Sequence, residues 1–385
     1  MKPVVLFYVQ HLLGIGHLRR AALIARAIQA AGLELRFVSG GAPAGEIDIG
    51  TGGLIQLPPA VSADVHFSAI LDGDGRPIDD VWRDKRRRLL LAAFEAERPD
   101  LVLVEMFPFG RRQFAFELLP LLEAAKARGL PTAVSLRDIL VAKSKPERIA
   151  ETVAVVRRLV DRVLVHGDPR LVGLEATFAG AAEIADRLVY TGYVAEAARP
   201  TPGTGPGTPA GGAAESAEIL VSAGGGAVGG PLLRAALAAR PATSLAYSPW
   251  RLIAGPNLPA AEYAELQGTA PAGVTVERFR SDFPALLARS RLSLSQAGYN
   301  TVMDILAVGA RALVLPFAEG AESEQSLRAR LLAERGLLSL LEPPIDPARL
   351  AGAIEAALLR PRPAPGALDL GGATETARQL VRMLG

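Results

Sequence analysis

Short apolar runs alternate with helical patterns twice along this chain, and a proline- and glycine-rich break separates the two series. In the first series the strand-like runs are Pro3–Gln10, Leu35–Ser39, Leu54–Leu57, Leu101–Glu105, Thr132–Leu136, Arg162–Val165 and Leu188–Thr191. Helical spacing fills the gaps, as in Leu18–Ala31 and Arg111–Arg128. Continuous apolar runs of this length suit strands buried on both faces, and strands alternating with helices give a parallel sheet. The break, Arg199–Ser216, reads RPTPGTGPGTPAGGAAES. It cannot build a packed core and is expected to be a flexible linker. A second series opens at Glu218. The expected fold class is therefore α/β, with two Rossmann-like domains facing across a cleft. The expected division is a first domain over 1–198, the linker over 199–216, a second domain over 217–372 and a terminal helix over 373–385.

Composition narrows the function classes. A chain of 385 residues is long for one core and ordinary for two domains. A formal net charge of +2 argues against a dedicated nucleic-acid binder. The absence of cysteine excludes disulfides, thiolate metal sites and cysteine nucleophiles, and fits a cytoplasmic chain. No apolar run reaches the roughly 18 to 20 residues that span a bilayer. The run VVLFYV is too short for a signal core and leads into Gly-His-Leu-Arg-Arg. One segment leaves two readings open. Trp82, Arg83, Lys85, Arg86, Arg87 and Arg88 lie together on an amphipathic pattern. They suit either a solvated helix face or docking on anionic lipid at the inner face of a membrane.

The loops carry the chemistry. Between Arg291 and Gly336 the pattern is strand, glycine turn, helix, strand, polar loop, helix. Both loops leave the carboxyl ends of parallel strands, where α/β proteins bind ligands. Gly298, Asn300 and Thr301 open one helix, suited to phosphate. Glu324 and Gln325 open the other, suited to hydroxyls. A diphosphate joined to a polyol, as in a nucleotide sugar, fits that pair. Gly224, Gly225 and Gly226 follow another strand, where close backbone approach to a phosphate accounts for three glycines in a row. No Gly-Lys-Ser/Thr follows them, and no acidic residue ends the next strand, so neither a P-loop nor a dinucleotide fingerprint fits. In the first half, His11-Leu12-Leu13-Gly14-Ile15-Gly16-His17 follows the first strand. This is either a tight turn with capping histidines or a site. Glu105 and Asp138 each end a strand and compete with His17 for a base role, or else serve ion pairs. Arg111 and Arg137 either hold phosphate or are solvated. No spacing suggests a tightly bound metal.

The strings PFGRR at Pro108–Arg112, SLRD at Ser135–Asp138, HGDP at His166–Pro169, AGYNTVMD at Ala297–Asp304 and EQSLRAR at Glu324–Arg330 stand in order along the chain. With them the chain resembles two-domain (GT-B) glycosyltransferases. It is similar to the family 28-like bacterial peptidoglycan N-acetylglucosaminyltransferases, and more closely still to bacterial predicted glycosyltransferases that carry these strings. The resemblance implies transfer of a hexose-type sugar, with inversion, from a nucleoside diphosphate sugar, uridine-linked by preference. The acceptor would be a hydroxyl or a lipid phosphate, and no cofactor would be tightly bound. It implies that His17, with Gly14, Gly16 and His11, faces the acceptor. Gly224–Gly226 lie near the donor phosphates, and Phe279 and Arg280 meet the base. Asp304 stands where the family has a glutamate on the ribose, and Glu324 where it has a glutamine, so the sugar is not carried over. The terminal helix packs back on the first domain in that fold. A nucleotide-sugar 2-epimerase and a non-catalytic nucleotide-sugar binder are the alternatives on the same architecture.

Overall fold

The computed structural model describes residues 2–12, 16–43, 48–63, 69–140, 145–196, 217–224, 229–316, 324–364 and 366–385. The chain divides into two units, Met1–Val194 with Gly371–Gly385, and Ala195–Leu370.

The strands of the first unit are β1 (Val4–Val9), β2 (Glu34–Ser39), β3 (Gly53–Gln56), β4 (Val61–Ser62), β5 (Ile70–Leu71), β6 (Leu101–Glu105), β7 (Thr132–Arg137), β8 (Arg162–His166) and β9 (Leu188–Tyr190). Its helices are α1 (Gly16–Ala30), α2 (Asp80–Glu97), α3 (Ala115–Ala127) and α4 (Pro146–Leu159). Seven strands form one sheet in the order β3-β2-β1-β6-β7-β8-β9, every pair parallel. The short antiparallel pair β4-β5 stands apart and has no counterpart in the sequence reading. Successive residues of a strand point to opposite faces, so an all-apolar strand feeds two cores. Leu6, Tyr8, Val102, Val104 and Val134 pack with α2, α3 and α4. Val5, Phe7, Val9, Leu101 and Leu103 pack with α1 and with Ala377 and Leu380.

The second unit has β10 (Ile219–Ser222), β11 (Trp250–Ile253), β12 (Val274–Glu277), β13 (Leu292–Gln296), β14 (Ala312–Leu315) and β15 (Ser339–Leu340). They form a parallel sheet in the order β12-β11-β10-β13-β14-β15. The helices are α5 (Gly230–Ala239), α6 (Ala260–Thr269), α7 (Phe283–Arg289), α8 (Tyr299–Val308), α9 (Glu324–Glu334) and α10 (Pro347–Leu358). Helix α11 (Gly372–Met383) belongs to the first unit and lies against α1. It is tied in where Gly372 N–H donates to the Tyr193 carbonyl at 3.0 Å and Val194 bridges Gly371. A Cβ on Gly372 would meet the Gly192 oxygen at 2.3 Å, so only glycine lets the two segments touch there.

Two elements depart from the sequence reading. The helix expected over Arg111–Arg128 starts later: Arg111 is left-handed, Arg112–Phe114 is a 3₁₀ turn, and α3 begins at Ala115. In the basic run of α2, Lys85, Arg87 and Arg88 lie on a solvated face, one of the two readings, and Arg86 is the departure. Arg86 is fully buried, while Arg83 pairs with Asp80, and Arg87 and Arg88 pair with Asp84. Trp82 packs on the core, edge-to-face with Phe116. The acidic residues one turn away cancel much of the charge that a lipid surface would need. No helix among the described residues is long and apolar enough to cross a membrane.

Candidate functional site

Each sheet has one point where the strand order reverses. In the first unit it lies between β1 and β6: β2 and β3 extend to one side of β1, and β6 to β9 to the other. Connections leaving such neighbours run to opposite faces and open a crevice at the strands' carboxyl ends. His17, in the first turn of α1, and Glu105, the last residue of β6, meet there. The His17 Nδ1 atom lies 2.7 Å from Glu105 Oε1, and Arg20 Nη2 donates to the same oxygen at 2.6 Å. Glu105 is 1% exposed and His17 23%. The other Glu105 oxygen, Oε2, is buried and has no hydrogen-bond partner among the described residues.

The electrostatics define the protonation states. Burial alone would raise Glu105, but His17, Arg20 and Arg111 outweigh it and hold the carboxyl at about 2. Burial lowers the His17 imidazole to about 4, with Arg111 and Arg20 adding to the effect and Glu105 opposing it. At neutral pH the pair is thus a carboxylate and a neutral imidazole. The acceptor-only carboxylate fixes the tautomer: Nδ1 carries the proton and donates it, which leaves the lone pair on Nε2.

The surrounding groups brace this pair. Met106 and Arg111, which flank the Phe107–Gly110 turn, both hold positive φ, 66° and 58°. Non-glycine residues rarely adopt that conformation, and such outliers gather at functional sites. His11 is buried, with Nε2 3.0 Å from the Ala42 carbonyl, so it ties two loops together. Ser135 is the register partner of Glu105 in β7, and its hydroxyl bonds His166, which in turn bonds Thr191. Asp138 is buried just past β7, but the hydrogen-bond partner of His17 is Glu105, whose same oxygen also accepts from Arg20. Arg137 ends β7 and is half-buried. Beneath the site, Arg86 Nε–H is shared by both oxygens of Glu117 in a pair with no exposure, joined by Tyr8 and Gln10. Arg86 Nη1 also donates to the carbonyls of Gly40 and Pro58, which anchors the loops after β2 and β3.

A pH dependence follows. Burial holds His166 at about 3 and His17 at about 4, and lowers His11 as well, against an ordinary 6.5. Folded, these groups stay neutral where the unfolded chain binds protons. Their contribution is therefore complete above about 6.5 and is lost progressively below it. The thermal midpoint is expected to start falling near pH 6, above the carboxylate range. A midpoint flat from pH 7 to 5 in scanning calorimetry would contradict this.

In the second unit the reversal lies between β10 and β13. Gly224 follows β10 at φ +71°, and a Cβ placed on it would lie 4.0 Å from the Thr301 hydroxyl. Gly224 therefore stands beside the start of α8. A Cβ on Gly229 would meet that of Ala223 at 2.0 Å, so glycine is required where the loop closes. Gly298 caps α8 with no side-chain hydrogen bond and has open space at its Cβ position. The first amides of a helix point out of its start, where the helix dipole favours an anion. Asn300 and Thr301 lie in the first turn, and Asp304, 3% exposed, one turn on. Glu324 opens α9 and accepts from Arg328 Nη2 at 2.9 Å, and the Arg328 guanidinium sits 5.1 Å over the Tyr299 ring. That stack joins the starts of α8 and α9. Gln325 stands beside it, half-buried. At the end of β12, Phe279 is 62% exposed, and Arg280 is clamped by both oxygens of Asp282 at 2.8 Å.

Gly16 is the first residue of α1. Gly14, Gly225 and Gly226 lie outside the described residues, as does the 199–216 linker. Sequence reasoning missed Arg20 and Arg328. The signal for each was present, as Arg20 stands three residues after His17 and Arg328 four after Glu324, both on a shared helix face. Among the described residues no group of three or more His, Asp or Glu side chains is placed to hold a metal.

Residues 224–365 match the model of the glycosyltransferase family 28 C-terminal domain. That segment contains every donor-side residue named above. The chain is 40% identical over 89 residues to the UDP-N-acetylglucosamine--N-acetylmuramyl-(pentapeptide) pyrophosphoryl-undecaprenol N-acetylglucosamine transferase of Aromatoleum aromaticum, which covers 22% of this chain and 25% of that one. It is 31% identical over 99 residues to the enzyme of the same name from Methylobacterium radiotolerans, covering 26% and 27%. The chain thus spans about a quarter of the length of the curated relatives it matches. Among solved structures it is similar over its full length to the glycotransferase of kitacinnamycin, with a TM-score of 0.66 and 19% identity over all of both chains. The MurG protein of Acinetobacter baumannii gives 0.60 and 16%, over 100% of this chain and 99% of that one. These likenesses show the fold, GT-B with two Rossmann-like domains, and a family 28-like second half.

Proposed function

We propose that this GT-B, family 28-like chain is a glycosyltransferase that moves a hexose-type sugar from a nucleoside diphosphate, uridine-linked by preference, to an acceptor hydroxyl. The observation that carries the reading is the His17–Glu105 pair at the reversal point of the first sheet. Transfer to a hydroxyl needs a base, and a neutral imidazole held in one tautomer by a buried carboxylate is one. His17 Nε2 takes the hydroxyl proton as the acceptor oxygen bonds to the anomeric carbon. The bond from that carbon to the diphosphate breaks on the opposite side, which inverts the centre and releases the nucleoside diphosphate. Glu105 stabilises the imidazolium as it forms. Asp138 at the end of β7, and Gly14, Gly16, His11, Arg111 and Arg137, belong to the acceptor side in this reading.

The donor side is the reversal point of the second sheet. The amides at Gly224–Gly226 and at Gly298–Thr301 would receive the diphosphate, where negative charge grows as the bond breaks. Phe279 offers an exposed ring to the base, next to the backbone of Arg280. Asp304 would take the ribose hydroxyls, and Glu324 and Gln325 the sugar. Peripheral attachment to the inner face of a membrane through Trp82–Arg88 loses support from the buried Arg86 and the paired neighbours.

Incubation with nucleotide sugars tests the reading. Nucleoside diphosphate should be released faster when an acceptor pool is added, with no epimerised donor formed. Recovery of an epimer from donor alone would replace the transferase with an isomerase. Asp304 has its own test. Two charge-assisted bonds to the ribose are worth roughly 1.5 to 3 kcal/mol each. Asp304→Ala should weaken nucleoside diphosphate binding by one to several orders of magnitude. Unaltered affinity in calorimetry would remove Asp304 from the site.

A further inference from the structure

Arg20 reaches the His17–Glu105 pair from one turn along α1, and its guanidinium stands on the same carboxylate oxygen as the imidazole. Arg20 Nη2 donates to Glu105 Oε1 at 2.6 Å and lies 3.3 Å from His17 Nδ1, which meets that oxygen at 2.7 Å. Two donors thus converge on one oxygen, and an imidazolium there would face a fixed cation across that distance. The Arg20 side chain is 4% exposed and that of Glu105 1%, so solvent screens little of this. Other groups act from further off. Arg111, at the turn after β6, donates from Nε to the Gln10 carbonyl at 2.7 Å and acts on Glu105 and His17 through its charge. Arg137, at the end of β7, acts on Arg111. His11 past β1 and His166 at the end of β8 feel the Glu105 charge, and burial favours the neutral form of both. Tyr8 on β1 stays a neutral phenol, and Asp138 past β7 is buried against Gly167. Among the described residues Arg20 is the one guanidinium bonded to Glu105.

A carboxylate, a neutral imidazole and a guanidinium sum to zero charge. Without the guanidinium the buried pair holds a lone negative charge, which burial penalises and one proton relieves. That proton has two places to go. On Glu105 it makes the carboxyl a donor to Nδ1, and the imidazole then carries its own proton on Nε2. On the imidazole it gives the imidazolium, again with Nε2 protonated. Either way the lone pair that a base needs is lost. We infer that Arg20 is a positioning residue for the reaction: by matching the Glu105 charge it keeps the pair from taking up a proton at rest, so that His17 Nε2 is free when the acceptor arrives. The inference rests on reading His17 as the base.

Two measurements test it on the wild-type chain, Arg20→Gln, Arg20→Lys and the double variant Arg20→Gln with Glu105→Gln. The first is nitrogen NMR of labelled histidine, with His17 identified by its loss in His17→Ala. It needs no substrate, so it stands apart from any failure to find sugar transfer. Nε2 should be unprotonated at neutral pH in the wild type and in Arg20→Lys, and protonated in Arg20→Gln. The double variant, which removes both charges, should return it to the unprotonated form. In the wild type Nε2 should stay unprotonated down to about pH 5, whatever the fold of the variants. The second measurement is the pH dependence of kcat/KM. Arg20→Gln should lose about tenfold or more near pH 6, and the loss should shrink as pH rises, whereas a structural defect lowers the rate equally at every pH. Arg20→Lys should keep the level profile. Unprotonated Nε2 at neutral pH in folded Arg20→Gln, a loss independent of pH, or a wild-type Nε2 that takes up its proton near the ordinary 6.5 or so would overturn the inference.

Discussion

His17→Ala is expected to lower turnover by roughly two to four decades while nucleoside diphosphate affinity stays within about twofold. The split is the informative part. His17 and Glu105 belong to the first unit, and every group assigned to the donor belongs to the second. A base contributes to the transition state and not to donor binding, so kcat should move alone. The pair also fixes the pH profile. With His17 at about 4, the base form is present throughout the neutral range, and kcat/KM should be level there and fall only as pH approaches 4. Glu105→Gln should reproduce much of the loss, because an amide can accept from Nδ1–H but carries no charge to balance the imidazolium. A drop of only a few-fold in His17→Ala would make His17 a positioning residue and move the base role to Asp138. Loss of nucleotide affinity together with activity would place His17 on the donor side.

The second large effect is on stability. Arg86→Ala leaves the Glu117 carboxylate buried with only Tyr8 as a partner, and takes the Arg86 bonds from the Pro58 carbonyl and from the Gly40 carbonyl, which keeps Ala60 N–H. Breaking one side of a buried pair costs about 3 to 5 kcal/mol. The double change Arg86→Met with Glu117→Leu should cost clearly less, since it removes both charges. Trp82 lies 5.2 Å from the Arg86 guanidinium and reports on the first unit, while Trp250 sits in the second. Urea unfolding followed by Trp82 fluorescence in a Trp250→Phe background isolates the transition. Single and double variants of equal stability would show that the pair is not the source of the loss.

How far the sequence could be read depended on the range of the interaction. The strands were legible because parallel strands buried on both faces are apolar along nearly their whole length, as in VVLFYV and in LVLVE up to its terminal Glu105. His17 and Glu105 could be named as candidates from their places at strand ends, but not as a pair. They are 88 residues apart, and only the order β1-β6 in the sheet brings them together. Arg86 shows the opposite failure. In sequence it is one of three consecutive arginines on an amphipathic helix, indistinguishable from Arg87 and Arg88. The helix turns it inward, against Glu117, Trp82 and Phe114, and leaves its neighbours outside. Tyr8 carried the same ambiguity, since a tyrosine in an apolar strand reads as core, and its hydroxyl partner Glu117 lies 109 residues away. The C-terminal helix is the case where local pattern and tertiary place agree. Its apolar face, Ala377 and Leu380, completes the core beside α1.

The claim that most of the account depends on is that the second unit binds a nucleoside diphosphate at the reversal point of its sheet. Calorimetric titration with uridine, thymidine, guanosine, adenosine and cytidine diphosphates tests it without knowledge of the acceptor. The account predicts one-to-one binding of at least one of them, tightest for uridine and weakened in Asp304→Ala. No binding of any of the five to the wild-type chain would contradict it.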